Sequence, residues 1–243
     1  MSEPSLSVVV PVHNEQDNIA PLIGEIVAAL RGRISFEIIH VDDASTDATA
    51  AALRAAMRVT PELRVIRHQQ QAGQSTAVRN GVKAARAPWI ATLDGDGQND
   101  PADIPKLLAA RDKAASQVKL FAGWRVNRRD SFNKRISSTI ANAVRSRLLR
   151  DATPDTGCGI KLFERTIFLE LPYFDHMHRF LPALIHRAGW QTVSVPVNHR
   201  PRTTGISKYG MWNRLWVGIA DLRGVAWLAR RSRHTQTTEI TLP

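Results

Sequence analysis

Between residues 6 and 115, short apolar runs alternate with stretches of helical periodicity, and few folds accommodate that order. Leu6 to Val12, Phe36 to Val41, Leu63 to Arg67 and Trp89 to Leu93 read as strands. Asn18 to Leu30 has helical spacing through Ile19, Leu22, Ile23, Ile26, Val27 and Leu30. An Ala-rich helix follows Ser45-Thr46-Asp47, which supply N-cap chemistry, and runs to about Val59. Ser75 to Ala85 is a third helix behind a Gly-containing loop, and Pro101 to Ala115 a fourth. Strands and helices alternating through short loops predict an α/β fold with a parallel sheet. Ligands on such sheets bind beyond the carboxyl ends of the strands.

Three acidic or polar clusters fall at those ends: His13-Asn14-Glu15, Asp42-Asp43 and Asp94-Gly95-Asp96. The last belongs to Leu93-Asp94-Gly95-Asp96-Gly97-Gln98-Asn99-Asp100-Pro101, in which Gly95, Gly97 and Pro101 end the strand. An Asp-x-Asp on rigid backbone offers hard oxygen ligands where another molecule can approach closely. A divalent cation bridging a diphosphate has that requirement, because Mg²⁺ takes one or two protein carboxylates plus phosphate oxygens and water. An isolated Asp-x-Asp is more often a solvated turn. Convergence of three clusters on one sheet edge favours a site.

The charge balance narrows the partners. Against 22 Asp+Glu stand 33 Lys+Arg, a net charge of +11. Such a chain expects an anionic partner: nucleic acid, a phosphorylated ligand or anionic lipid. The single cysteine, Cys158, excludes an intrachain disulfide framework and fits a reducing compartment. The first residues carry no basic leader, and no segment reaches the ~18 uninterrupted apolar residues of a spanning helix. Met211 to Ala229 comes nearest but contains Asn213, Arg214, Asp221 and Arg223. The expectation is a cytosolic protein, or one held on the cytosolic face of a membrane.

After residue 118 the pattern changes. Leu120 to Trp124 is a strand, and Ser131 to Arg150 an amphipathic helix whose charges are all basic. A flexible loop, Thr156-Gly157-Cys158-Gly159, precedes a helix around Glu164 to Leu171; Gln191 to Val197 is another strand. His199 to Lys208 is a basic loop, Met211 to Ala229 a helix with a broad apolar arc, and 231–243 an expected disordered tail. The spacing of His176, His178, His186 and His199 matches no zinc motif. His176-Met177-His178 reads as a packing region, and Cys158 as a small loop residue.

Taken in order, Val9-Val10-Pro11-Val12-His13-Asn14-Glu15, Val41-Asp42-Asp43-Ala44-Ser45-Thr46-Asp47 and the Asp94–Pro101 turn resemble the inverting family 2 glycosyltransferases of GT-A fold. Gly123-Trp124-Arg125, Asp155-Thr156-Gly157-Cys158-Gly159-Ile160-Lys161 and Arg202-Thr203-Thr204-Gly205-Ile206-Ser207-Lys208-Tyr209 continue the match. Together they resemble the dolichol-phosphate mannosyltransferase-like branch, over residues 6 to 230. Each motif alone is moderately specific; the ordered set is strong. Many members carry Tyr at His13, Gly at Ala44 and Ala or Ser at Gly95, and none of these departures removes a carboxylate. Many also carry C-terminal transmembrane helices. Without them, attachment falls to surface helices, a homo-oligomer or an integral-membrane partner.

The resemblance implies one GT-A domain over 1–230, with a nucleotide-sugar half to about 118 and an acceptor and membrane-facing half beyond it. It implies a sugar moving from a nucleotide diphosphate (GDP or UDP) to polyprenyl phosphate, with inversion. Pro11, Asn14, Glu15, Asp42 and Asp43 would line the nucleotide pocket. Asp94 and Asp96, with Gln98 nearby, would hold Mg²⁺ or Mn²⁺. For Asp100 a helix cap and a ligand-side role are equally open. The acceptor phosphate, with a second pKa of ~6, needs a cationic cradle and no strong base. Arg125, Lys134, Arg135, Arg202 and Lys208 are the candidates, with Arg125, Lys134 and Arg135 nearest the acceptor. Arg128, Arg129, Arg145 and Arg147 are expected to be a solvated basic face. A glycan hydroxyl acceptor would instead require a carboxylate base. No nucleic-acid-binding signature accompanies the charge, and acidic strand ends would repel phosphate without a metal.

Overall fold

The computed structural model describes residues 3–126, 145, 148–149, 151, 153–198, 200 and 211–231, with backbone alone for 211–217. Its strands are β1 (Leu6–Val12), β2 (Phe36–Asp42), β3 (Leu63–Arg67), β4 (Trp89–Thr92), β5 (Val118–Arg125), β6 (Lys161–Glu164) and β7 (Gln191–Val197). They form one sheet in the order β3-β2-β1-β4-β6-β5-β7. The helices are α1 (Gln16–Leu30), α2 (Thr49–Met57), α3 (Gln74–Ala84), α4 (Ile104–Lys113), α5 (Arg165–Glu170), α6 (Leu181–Arg187) and α7 (Met211–Arg230).

The first four strands are parallel, as their alternation with helices requires. Central β1 is buried on both faces, so its residues divide by parity between two cores. Val8, Val10 and Val12 pack with Ile19, Leu22 and Ile26 of α1, Leu53 of α2 and Leu107 of α4. Val9 packs with Ile39 and Val41 of β2 and Ala77, Val78 and Val82 of α3 on the other face. Phe168 of α5, Leu184 of α6 and Val225 of α7 extend that second core. A Cβ on Gly81 would lie 2.5 Å from Val9 Cγ1, so only glycine lets α3 approach the sheet this closely.

Three features differ from the sequence reading. The stretch from Pro101 is a 3-10 turn, Pro101–Asp103, before α4, because Asp100 accepts a hydrogen bond from Ala102 N and caps the turn. Strand β6, not expected from the sequence, enters antiparallel between β4 and β5, and the sheet remains mostly parallel as the GT-A resemblance implies. Arg145 belongs to no solvated face: it is buried, bonded to Asp151 Oδ2 (3.1 Å) and Thr153 O (2.7 Å). A guanidinium removed from water needs such partners. Most of the predicted 131–150 helix and all of the 232–243 tail lie outside the described residues. Among the described residues no helix is long and apolar enough to cross a membrane.

One core residue breaks the apolar pattern. His40, in the middle of β2, is fully buried, and neither ring nitrogen finds a hydrogen-bond partner among the described residues. Burial lowers its pKa to about 3. Between pH 6.5 and 3 the unfolded chain therefore binds a proton that the native state excludes. Stability from this residue is full above the unfolded pKa and falls as pH drops below it. The slope approaches about 1.4 kcal/mol per pH unit. Urea midpoints measured from pH 7 to pH 4 should fall more steeply for the wild type than for His40→Met; parallel profiles would contradict this account.

Candidate active site

The acidic turn leaves β4 held from several sides. Leu93 N bonds to Val9 O at 3.3 Å, and a Cβ on Gly95 would stand 2.8 Å from Pro11 O and 2.6 Å from Val12 Cγ1. Glycine between the two aspartates thus lets the turn lie on the end of β1. Asp94 N donates to Asn99 Oδ1 (2.9 Å), and Gln98 N donates to Asp96 Oδ1 (3.1 Å). Gly97 supplies the left-handed φ of 72° that closes the turn.

The Asp94 carboxylate lies over Gly159. A Cβ there would come within 2.1 Å of Asp94 Oδ2 and 2.5 Å of Asn99 Oδ1. Gly159 is delivered by β6, which pairs Thr92 with Lys161, and by a bond from Thr92 Oγ1 to Gly159 O (2.8 Å). A cavity of about 150 Å³ opens beside them, lined by Pro11, Gln74, Asp94, Lys161, His178 and Arg179 among others. Gln74 Nε2 donates to Asp94 Oδ1 at 2.8 Å. Burial, then the neighbouring Asp96 charge, raises the Asp94 pKa, while Lys161 opposes the rise. Burial lowers the Lys161 pKa; its ammonium donates to Cys158 O and is drawn back by the nearby acids. His178 bonds to Ser75 Oγ through Nδ1 (2.7 Å), and burial lowers its pKa to about 3, so its ring is neutral at neutral pH.

Other expected residues take varied positions. Arg125, at the end of β5, forms a two-bond fork with Asp155: Nε to Oδ2 at 2.7 Å and a terminal nitrogen to Oδ1 at 2.9 Å. Asp42 is buried; its Oδ1 accepts from Ser45 N (2.9 Å), and its Oδ2 lies 3.5 Å from Arg67 Nε without a hydrogen bond among the described residues. The Asp43 carboxylate shapes the loop before α3, accepting from Ala72 N and Gly73 N (2.8 Å each) and meeting His68 Nδ1 (2.7 Å). Asn14, at φ 57°, accepts from Thr46 N (2.8 Å), and Glu15 Oε2 accepts from Asn18 Nδ2 (2.7 Å). These four residues interlock the loops after β1 and β2 and do not line the cavity. Lys134, Arg135, Arg202 and Lys208 lie outside the described residues.

Residues 7–171 match Glycosyl transferase family 2. The chain belongs to this family. It is 36% identical over 239 residues, 93% of its length, to dodecaprenyl-phosphate galacturonate synthase of Rhizobium johnstonii, covering 67% of that protein. It is 32% identical over 209 residues, 85% of its length, to undecaprenyl-phosphate 4-deoxy-4-formamido-L-arabinose transferase of Edwardsiella ictaluri, covering 63% of it. The chain thus spans about two thirds of these relatives. A mannosyltransferase from Pyrobaculum calidifontis in complex with GDP-Man and Mn²⁺ superposes with a TM-score of 0.66 at 21% identity, over 94% of this chain and 70% of that one. Glucosyl-3-phosphoglycerate synthase from Mycobacterium tuberculosis in complex with Mn²⁺, UDP and glucosyl-3-phosphoglycerate gives 0.69 at 20% identity, over 93% and 80%. The fold is GT-A, and the chain is a family 2 glycosyltransferase.

The divalent cation that this fold family implies fits the residues present. Two carboxylates crowd one turn, and the Asp96 charge helps hold the Asp94 pKa up, a penalty a cation would remove. Among the described residues no group of three or more His, Cys, Asp or Glu could hold a metal. Sequence reasoning named the carboxylates but missed Lys161, Gln74 and His178. Lys161 stood within a quoted motif; its place beside Asp94 depends on the antiparallel entry of β6.

Because Gly159 leaves no room for a Cβ beneath Asp94, Gly159→Ala should displace the carboxylate. Transfer rates should drop roughly ten- to a hundredfold while far-UV circular dichroism stays native. Wild-type rates would show that the Asp94 position is not critical.

Proposed function

We propose that this glycosyltransferase moves a sugar from a nucleotide-diphosphate donor to the phosphate of a polyprenyl lipid, inverting the anomeric centre, at the cytoplasmic membrane surface. The observation that carries the acceptor class is the charge of the cavity. Among the described residues lining it, Asp94 is the one carboxylate, and Gln74 already donates to it. The other titratable groups there are Lys161, Arg179, His178 and the buried thiol of Cys158. A hydroxyl acceptor needs a base to remove its proton. A phosphate acceptor, with a second pKa of ~6, arrives ionised and needs cations instead.

In this reading the nucleotide lies along the ends of β1 and β2, against Pro11, Asn14, Glu15 and Asp42, with Asp43 fixing the adjoining loop. Asp94, Asp96 and Gln98 hold Mg²⁺ or Mn²⁺, which supplies positive charge to the departing diphosphate. Arg125 meets the acceptor phosphate while Asp155 fixes its orientation. Lys134, Arg135, Arg202 and Lys208 complete the cradle. Both curated relatives described above are named for transfer to polyprenyl phosphates, which supports the acceptor class. The surface of α7 supports membrane attachment: Arg223, Trp227 and Arg230 are exposed on one helical face, with exposed Arg231 directly after it. Each such basic residue adds ~1 kcal/mol of attraction to an anionic leaflet.

The test is transfer from radiolabelled UDP- and GDP-sugars, neutral and uronic, to a polyprenyl phosphate with Mn²⁺. Label should enter the organic phase, and Asp96→Ala should abolish it with the fold intact. Label confined to a hydrophilic glycan, or full activity in Asp96→Ala, would overturn the reading.

A further inference from the structure

The acidic turn is held on its outer side by a residue far away in sequence. Arg200, just beyond β7, reaches Asp100 Oδ1 with one terminal nitrogen (2.7 Å) and Glu25 Oε2 on α1 with the other (2.7 Å). Its main-chain N donates to Gln98 O at 3.2 Å. Two positions earlier, Asn198 N donates to buried Asp103 Oδ2 (2.6 Å), and Asn198 Nδ2 is 3.5 Å from Asp100 Oδ2. Residues 98–103 are thereby stitched to Asn198 and Arg200. Gln98 is gripped at both ends of its peptide frame, its N–H by the Asp96 carboxylate and its carbonyl by Arg200.

Fold stability accounts for little of the outer pair: the Arg200 and Glu25 side chains are 38% and 42% exposed, and exposed ion pairs contribute little to folding. The inner pair is drier, the Asp100 side chain being 13% exposed. Asp100 keeps its capping bond to Ala102 N without Arg200, and Asn198 keeps Asp103. What the guanidinium adds is orientation. It is a planar fork between two carboxylates on different elements, and it fixes Asp100 relative to α1. Asp100 lies four residues from Asp96 and two from Gln98, on the same turn.

We propose that Arg200 is a positioning residue for the cation of the donor site: by clamping Asp100 to α1 it holds the turn in the shape that presents Asp96 and Gln98. This rests on the proposed role of those residues in holding the metal. It assigns a task within the donor site to the segment after β7.

Mn²⁺ binding, followed by loss of the free-ion electron paramagnetic resonance signal in the presence of UDP and, separately, GDP, tests this without turnover. Arg200→Ala should weaken Mn²⁺ binding about tenfold, with an unchanged thermal midpoint in metal-free buffer. Arg200→Lys, whose single ammonium still reaches Asp100, should recover part of the loss. Glu25→Ala should lose less than Arg200→Ala. Wild-type affinity in Arg200→Ala overturns the proposal. So does a loss that tracks a lowered thermal midpoint with no recovery in Arg200→Lys, since that marks a structural role only. A wild type that binds Mn²⁺ with neither nucleotide defeats the metal-site reading itself, and this inference with it.

Discussion

The contact between the Asp94 carboxylate and the backbone of Gly159 joins the end of β4 to the entry of β6. One partner comes from the end of a parallel strand, the other from the entry to an antiparallel one. Their approach leaves no space for a Cβ, so any side chain at residue 159 would have to push the Asp94 and Asn99 side chains aside. Around that contact Gln74, Asn99 and Thr92 each spend a hydrogen bond on keeping the parts in register. A carboxylate crowded in this way resists ionisation, as its raised pKa records. The same crowding makes it receptive to positive charge.

Lys161 shows how such a site balances its electrostatics. Its ammonium is drawn toward neutrality by burial and back toward charge by Asp94 and Asp155. Arg125 is likewise fixed by Asp155, and Arg145 by Asp151. The large basic excess is therefore not one solvated face. Part of it is drawn inward to neutralise acids, which leaves the cavity polar and held in shape before any substrate arrives. Preorganised dipoles and charges of this kind need no rearrangement when charge develops.

The first half of the fold was legible because local chemistry and tertiary demand agree there. Parallel central strands are largely apolar on both faces, and β1 and β2 follow this apart from Ser7, Glu37, His40 and the terminal Asp42. Their helices carry apolar stripes, and the turns carry Asp, Asn and Gly where the backbone needs them. The acidic clusters were legible for the same reason, since their strands were. The cationic partners were not. Lys161 lies 67 residues after Asp94 in the chain, and nothing in its immediate neighbours marks the strand pairing that places it. Arg145 has an amphipathic helical context, yet its carboxylate partner follows it in a loop. Asp43 illustrates the converse: its motif was legible, but the task of its carboxylate, bracing residues 72 and 73, was not.

By itself the sequence determined the strand and helix alternation, the positions of the acidic strand ends and the family. Those properties live in spacing of a few residues, over which hydrophobic period and turn chemistry act. Only the tertiary structure decided that β6 enters antiparallel between β4 and β5, that Gly159 must be glycine, and that Arg200 reaches back to Asp100 and Glu25. Each of these joins residues 39 or more positions apart. Sheet order and side-chain reach govern such pairings, and neither is written in a local pattern.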